Sequence, residues 1–202
     1  MPNTRIAVIM AGGSGERFWP LSRRRRPKQL LNLTDPDKSL LDEAVERILP
    51  LVSPENIFVA TSRHLQEAIR QADLGLPAAN IIAEPSKRNT AGCLVYAAAT
   101  ALQRLDLPPQ EVTMAVLTAD QQMKDPEAFR ATVAVALEAA EQDDALVTIG
   151  IRPTRPETGY GYIEMANQTT PTPGSTPGVP VFPVLRFTEK PDLQAVEGFL
   201  EA

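Results

Sequence analysis

The small, apolar run Ala7-Val8-Ile9-Met10-Ala11 ends abruptly in a loop with three glycines within four positions, Gly12, Gly13 and Gly15. A short apolar run bounded in this way predicts a buried strand over Ile6 to Met10. Arg17 sits in the loop, Arg23 to Arg26 come after it, and Pro27-Lys28 comes next. Glycines let backbone N–H groups approach oxyanions closely, and cations neutralise what the backbone cannot. A buried strand that empties into such a loop is a grip for a polyphosphate. It matches neither common nucleotide pattern. Counting from Gly13, Phe18 stands where Gly-x4-Gly-Lys-Ser/Thr needs its second glycine and where Gly-x-Gly-x-x-Gly needs its third. The plainer alternative, a βα turn with no ligand, leaves the nearby Arg17 and Lys28 unexplained.

The rest of the chain alternates strand and helix. Ser39 and Asp42 form a capping pattern for a helix through Leu49, with Leu40, Leu41, Ala44, Val45 and Ile48 on one side. Asn56 to Thr61 predicts a second strand, His64 to Ala72 a short helix, and Asn80 to Ala83 a third strand. An alanine-rich helix runs from Thr90 to about Leu105, apolar nearly all round and so buried. Val112 to Thr118 is a strand, Asp125 caps a helix that Pro126 starts and that runs to about Glu141, and Ala145 to Ile151 is a strand again. This order predicts a three-layer α/β/α domain with a mainly parallel sheet. Residues 167–180 hold four prolines, two glycines and no charge, and read as a mobile loop between two strands. Val181 to Phe187 is the strand after it, and Asp192 to Glu201 a helix. The whole of 1–202 reads as one domain.

Composition narrows the function classes. A net charge of −5 argues against non-specific nucleic-acid binding, so the arginine run is a local device, in part a solvated loop. The single cysteine, Cys93, cannot form an internal disulfide and fits a reducing, cytoplasmic setting. The N-terminus enters a strand without a signal-peptide layout, and no apolar run approaches the roughly 18 residues that span a membrane.

Ligands of open α/β sheets sit at the carboxyl ends of the strands. Three segments end there with suitable chemistry. The first is the glycine loop with Arg17 and Lys28. The second, Glu84-Pro85-Ser86-Lys87-Arg88-Asn89-Thr90-Ala91, joins the third strand to the long helix, which Thr90 can cap. The third is Asp120, after Ala115-Val116-Leu117-Thr118-Ala119. A carboxylate there suits a divalent ion or a turn cap, about evenly. Glu157-Thr158-Gly159-Tyr160-Gly161-Tyr162 is a Gly/aromatic turn that also reads as a hairpin bend, and Glu189-Lys190-Pro191 presents either an anion contact or a surface ion pair.

Together these segments resemble a known family. Gly12-Gly13-Ser14-Gly15-Glu16-Arg17 with Trp19-Pro20-Leu21-Ser22 and Pro27-Lys28-Gln29 is similar to the signature of the sugar-nucleotidyltransferases. Glu84-Pro85 with Arg88-Asn89-Thr90-Ala91, then Pro156 to Ile163 and Phe187-Thr188-Glu189-Lys190-Pro191-Asp192, narrow the resemblance to the mannose-1-phosphate guanylyltransferases. The resemblance covers Ile6 to about Leu200. It implies a Rossmann-like, glycosyltransferase-A-like nucleotidyltransferase domain. The implied reaction converts mannose 1-phosphate and GTP to GDP-mannose and pyrophosphate, with Mg²⁺.

The resemblance also implies roles. Gly12, Gly13, Ser14, Gly15 and Glu16 hold the nucleotide, Arg17 stabilises the leaving pyrophosphate, and Lys28 contacts phosphate near the reacting centre. Glu84, Pro85, Arg88, Asn89 and Thr90 lie along the nucleotide, with Asn89 and Thr90 near base or ribose. Asp120 binds Mg²⁺. Gly159, Tyr160, Glu189 and Lys190 approach the sugar phosphate. The family usually carries a histidine after that aspartate, where this chain has Gln121, and continues into a Trp-Asn-x-Gly segment and a second metal-binding aspartate that this sequence lacks. The chain therefore reads as the N-terminal part of such a domain, compatible with a homo-oligomer. The alternatives are a thymidylyl- or uridylyltransferase for another sugar phosphate, and a nucleotide-binding subunit without turnover.

Overall fold

The structure, a computed structural model, describes residues 3–13, 15, 18–23, 27–86, 88–169 and 178–201. Strands β1 (Thr4–Met10), β2 (Ile57–Ser62), β3 (Ile81–Glu84) and β4 (Val112–Thr118) form one sheet in the order β3-β2-β1-β4, parallel throughout. Its central strands are short apolar runs because both faces are covered. On one face Ile6, Val8, Phe58, Ala60 and Ile82 pack with Cys93, Ala97 and Ala101 of α3 (Asn89–Leu105). The residues of opposite parity, Ala7, Ile9, Ile57 and Val59, are equally buried. Helix α1 (Leu40–Ile48) packs on β1, and α2 (Arg63–Arg70) on β2 and β3.

Local signals set the helix ends. The Ser39 backbone N–H donates to Asp42, and the Asp42 N–H donates to the Ser39 hydroxyl, so the predicted capping box forms at α1. Asp125 accepts from the backbone of Glu127 and Ala128 at the start of α4 (Pro126–Asp143). The expectation at α3 is corrected. The helix starts one residue early, at Asn89, with Arg88 in the capping position, and no side chain caps it. Asn89 takes φ +57°, a left-handed conformation that Asn tolerates better than most residues.

The chain divides into two compact units, residues 1–130 and 131–202. The second holds the antiparallel pair β5 (Tyr162–Met165) and β6 (Val184–Thr188), followed by α5 (Leu193–Glu201). Tyr162 and Phe199 stack at a tilt, with ring centroids 5.8 Å apart, which holds α5 to the hairpin.

One predicted strand is absent. Residues 145–151 have no regular structure, and Leu146 and Ile151 are exposed. Its composition suits a strand, but a strand is stable only when a neighbour takes up its backbone hydrogen bonds, and among the described residues this segment pairs with none. The core of the predicted mobile loop, residues 170–177, lies outside the described residues.

Candidate functional site

The glycine loop is held from below by two polar side chains. Gln29 is 1% exposed, and its amide donates to the carbonyls of Ala11 (2.9 Å) and Gly13 (3.1 Å). The Thr61 hydroxyl donates to Ala11 O at 3.0 Å, and Ala11 N–H continues the β2 ladder to Ala60 O at 2.7 Å. Gln29 reaches the loop because residues 28–30 form a tight 3₁₀ turn beneath it. Gly15 has φ +71°, and a Cβ there would lie 2.5 Å from Ser22 Oγ and 3.2 Å from Lys28 Cβ. A Cβ on Gly13 would meet Lys28 Cε at 3.2 Å and Nζ at 3.3 Å. The missing side chains thus make a groove for the stem of Lys28. Ser14, Glu16 and Arg17 lie outside the described residues.

The end of that stem meets Asp120. Strands β1 and β4 run parallel in register from Thr4↔Val112 to Met10↔Thr118, so the loops beyond their carboxyl ends emerge side by side. Ala119 N–H donates to Met10 O at 3.2 Å, which extends the pairing to the residue before Asp120. Lys28 Nζ forms an ion pair with Asp120 Oδ2, the two side chains 17% and 33% exposed. The Phe18 ring lies 5.8 Å from the ammonium. The loop after Asp120 is tied down by buried Arg47 of α1, which donates to Gln121 O at 2.8 Å and faces the Phe129 ring. Burial lowers the Arg47 pKa, with Glu43 opposing.

A cavity of about 300 Å³ opens beside the loop, at the ends of β1, β2 and β3. Its walls include Gly12, Ser62, Arg63, His64, Glu84 and Pro85. A Cβ on Gly12 would sit 3.2 Å from Glu84 Oε1, so that carboxylate leans over the first glycine. Beneath lies Cys93, whose thiol is pushed up to about 11 by burial and then by Glu84. Arg88, Asn89 and Thr90 are exposed at the uncapped start of α3.

The sugar-phosphate candidates form a cluster of their own in the second unit. Lys190 pairs with its neighbour Glu189, and both are exposed. Gly159 N–H donates to Glu157 Oε1 at 3.4 Å, and Tyr160 is 70% exposed. A Cβ on Gly161 would come within 2.3 Å of the Phe187 ring and 3.0 Å of Glu189 Oε2.

Among the described residues no three His, Cys, Asp or Glu side chains converge as a metal cage. Mg²⁺ is a hard cation that typically takes one or two carboxylates and completes its shell with water and substrate phosphates, and the Asp120 carboxylate is of the type that could serve as one of them. No described helix is long and apolar enough to cross a membrane.

Three residues of this region belong to no motif read from the sequence: Ser62, Arg63 and His64. They sit at the junction of β2 and α2, so the strand-end rule is the one available signal, whereas Gln29 stands in the Pro27-Lys28-Gln29 motif without an assigned role.

Known proteins share this arrangement of strands and loops. The Nucleotidyl transferase family pattern matches residues 6–202. Xanthan biosynthesis protein XanB of Xanthomonas campestris pv. campestris (strain B100) is 41% identical over 196 residues, 96% of this chain and 38% of that protein. A mannose-1-phosphate guanylyltransferase of Escherichia coli is 37% identical over 204 residues, covering 100% of this chain and 42% of that protein. A crystal structure from Thermus thermophilus, described as a mannose-1-phosphate geranyltransferase, superposes with a TM-score of 0.78 at 37% identity, over 98% of this chain and 53% of that one. The chain thus spans about two fifths of the length of the curated relatives it matches.

Proposed function

The chain belongs to the nucleotidyl transferase family, and we propose that it forms the nucleotide-binding part of a guanylyltransferase that turns mannose 1-phosphate and GTP into GDP-mannose and pyrophosphate. The observation that carries this reading is the meeting of the glycine loop, Lys28 and Asp120 at the adjacent ends of β1 and β4. A phosphate oxygen of the sugar phosphate attacks the α-phosphorus of GTP in line. The bond from that phosphorus to the bridging oxygen breaks, and pyrophosphate leaves with the electron pair. Both reactants are anions, so the site must offset their repulsion and fix their alignment.

Each candidate residue takes a part in this. Gly12, Gly13, Ser14, Gly15 and Glu16 line the nucleotide phosphates. Lys28 leaves Asp120 for a phosphate oxygen near the reacting centre, and Arg17 neutralises the departing pyrophosphate. Asp120 is then free as a ligand for Mg²⁺, which when bound neutralises charge across phosphate oxygens. Glu84, Pro85, Arg88, Asn89 and Thr90 flank base and ribose. Gly159, Tyr160 and Glu189 contact the sugar, and Lys190 its phosphate. The single Cys93 is in keeping with a cytoplasmic reaction.

Incubation with GTP, mannose 1-phosphate and Mg²⁺, with detection of pyrophosphate and chromatography of GDP-mannose, tests the proposal. Turnover that prefers UTP or dTTP with another sugar phosphate would replace it. A second reading, nucleotide binding without turnover, is favoured by Asp120 already being paired with Lys28, an ion pair that would have to open before the carboxylate could serve a metal. GTP binding with no pyrophosphate release would select it.

A further inference from the structure

Nothing in the family resemblance assigns a role to Arg63, yet it stands on the wall of the cavity beside Glu84. Ser62 and Glu84 are register partners at the ends of adjacent parallel strands, and Arg63 comes directly after Ser62. A carboxylate and a guanidinium therefore rise from neighbouring walls of one cavity. The side chains of Arg63 and His64 make no ion pair or hydrogen bond among the described residues, and the Ser62 hydroxyl is buried without a partner. The Arg63 and His64 side chains are thus not committed to contacts within the fold, and both line a space of about 300 Å³, the lower end of the range for small-ligand pockets.

Guanine presents two hydrogen-bonding edges that meet at O6. One carries the N1–H and N2–H donors side by side, and the other the O6 and N7 acceptors. A carboxylate takes the first edge with both oxygens, and the planar fork of an arginine takes the second. We propose that Glu84 and Arg63 read these two edges, and that Arg63 is a base-specificity residue of this site. Adenine would turn its N1 lone pair toward the carboxylate. Uracil or thymine would turn a carbonyl toward it on each side of a single N–H. Either base leaves buried acceptors facing each other, the costly arrangement. Gly12 takes part as well, because its missing Cβ leaves room for the Glu84 carboxylate to lean into the cavity.

The inference rests on the guanylyl reading above, and the test separates the two. Equilibrium binding of GTP, 7-deaza-GTP, ITP, ATP and UTP is measured with Mg²⁺ for the wild type, Arg63→Ala and Glu84→Gln. Circular dichroism checks the fold of each variant, and Arg63 is exposed enough for its substitution to leave the fold intact. The wild type is expected to bind GTP at least about tenfold more tightly than 7-deaza-GTP, which lacks N7. Arg63→Ala is expected to bind both alike, at the weaker level. ITP lacks the 2-amino group, so Glu84→Gln is expected to lose the preference for GTP over ITP. A variant Arg63→Ala that still discriminates against 7-deaza-GTP would overturn the role of Arg63 and leave the guanylyl reading standing. Equal wild-type binding of GTP, ATP and UTP would overturn base reading while nucleotide binding stands. No binding of any nucleotide would overturn both.

Discussion

The ammonium of Lys28 reaches the carboxylate of Asp120 by lying along Gly13 and Gly15, where a methyl group on either glycine would crowd its stem. Each member of this pair is proposed to act on phosphate or metal, yet in the free chain they neutralise each other. Ligand binding is then an exchange of partners in which no charge is left bare. Lys28→Met and Asp120→Asn should each lower pyrophosphate release by about 10²–10³-fold, the range for losing one preorganised electrostatic contact. Both side chains keep some solvent contact, so the stability change should stay near 1 kcal/mol or less. Steady-state assays beside urea denaturation check both halves, and a large stability loss with unimpaired turnover would assign the pair to structure alone.

Gly15→Ala tests the groove. The substitution forces a side chain into a left-handed conformation and against Ser22 Oγ, so it should destabilise the fold by about 1–3 kcal/mol and weaken GTP binding at the same time. Gly75 is the control. It is also left-handed, with φ +68°, but has open space around it, and its alanine variant should cost stability without touching GTP affinity.

Gln29→Leu removes the donor that serves two loop carbonyls at once. Ala11 O keeps the Thr61 hydroxyl, but Gly13 O is left short of a partner in a part-buried setting, which should cost about 1–3 kcal/mol. The loop amides should also exchange hydrogen faster, which hydrogen–deuterium exchange reads directly.

The Cys93 thiol holds its proton to about pH 11 in the folded chain, because burial and then Glu84 disfavour the thiolate. An unfolded cysteine loses its proton near pH 8.5. Between those values the unfolded chain binds fewer protons, so the contribution is fully present below about pH 8.5 and is lost as pH rises toward 11. Denaturation midpoints should fall more steeply over that window for the wild type than for Cys93→Ala. At neutral pH the thiol should resist alkylation until the protein unfolds.

Much of this is legible in the residues. The run Ile6 to Met10, the Ser39/Asp42 box and the Asp125 cap obey local rules, and each forms as expected. The segment at 145–151 has the composition of a strand, but pairing is not a local property, and composition cannot supply a neighbour. Thr90 has the chemistry to cap α3, and the backbone turns at Asn89 instead. At the site, the chemistry-bearing residues are visible singly. Their partnerships are not, because Lys28 with Asp120 and Glu84 over Gly12 depend on which strands lie side by side, and Gln29 with Ala11 on how the 28–30 turn folds back beneath the loop.

Lys28 and Asp120 are 92 positions apart, and the pairing of the first strand with the fourth brings the loops that carry them side by side. Contacts of such long range close late, since the loop between them must lose its freedom first. A nascent chain released partway would own the glycine loop but not its acid. If the proposed exchange of partners at Lys28 and Asp120 is needed to hold GTP, capture of GTP by a refolding chain should follow the closure of β4 onto β1 and would time it.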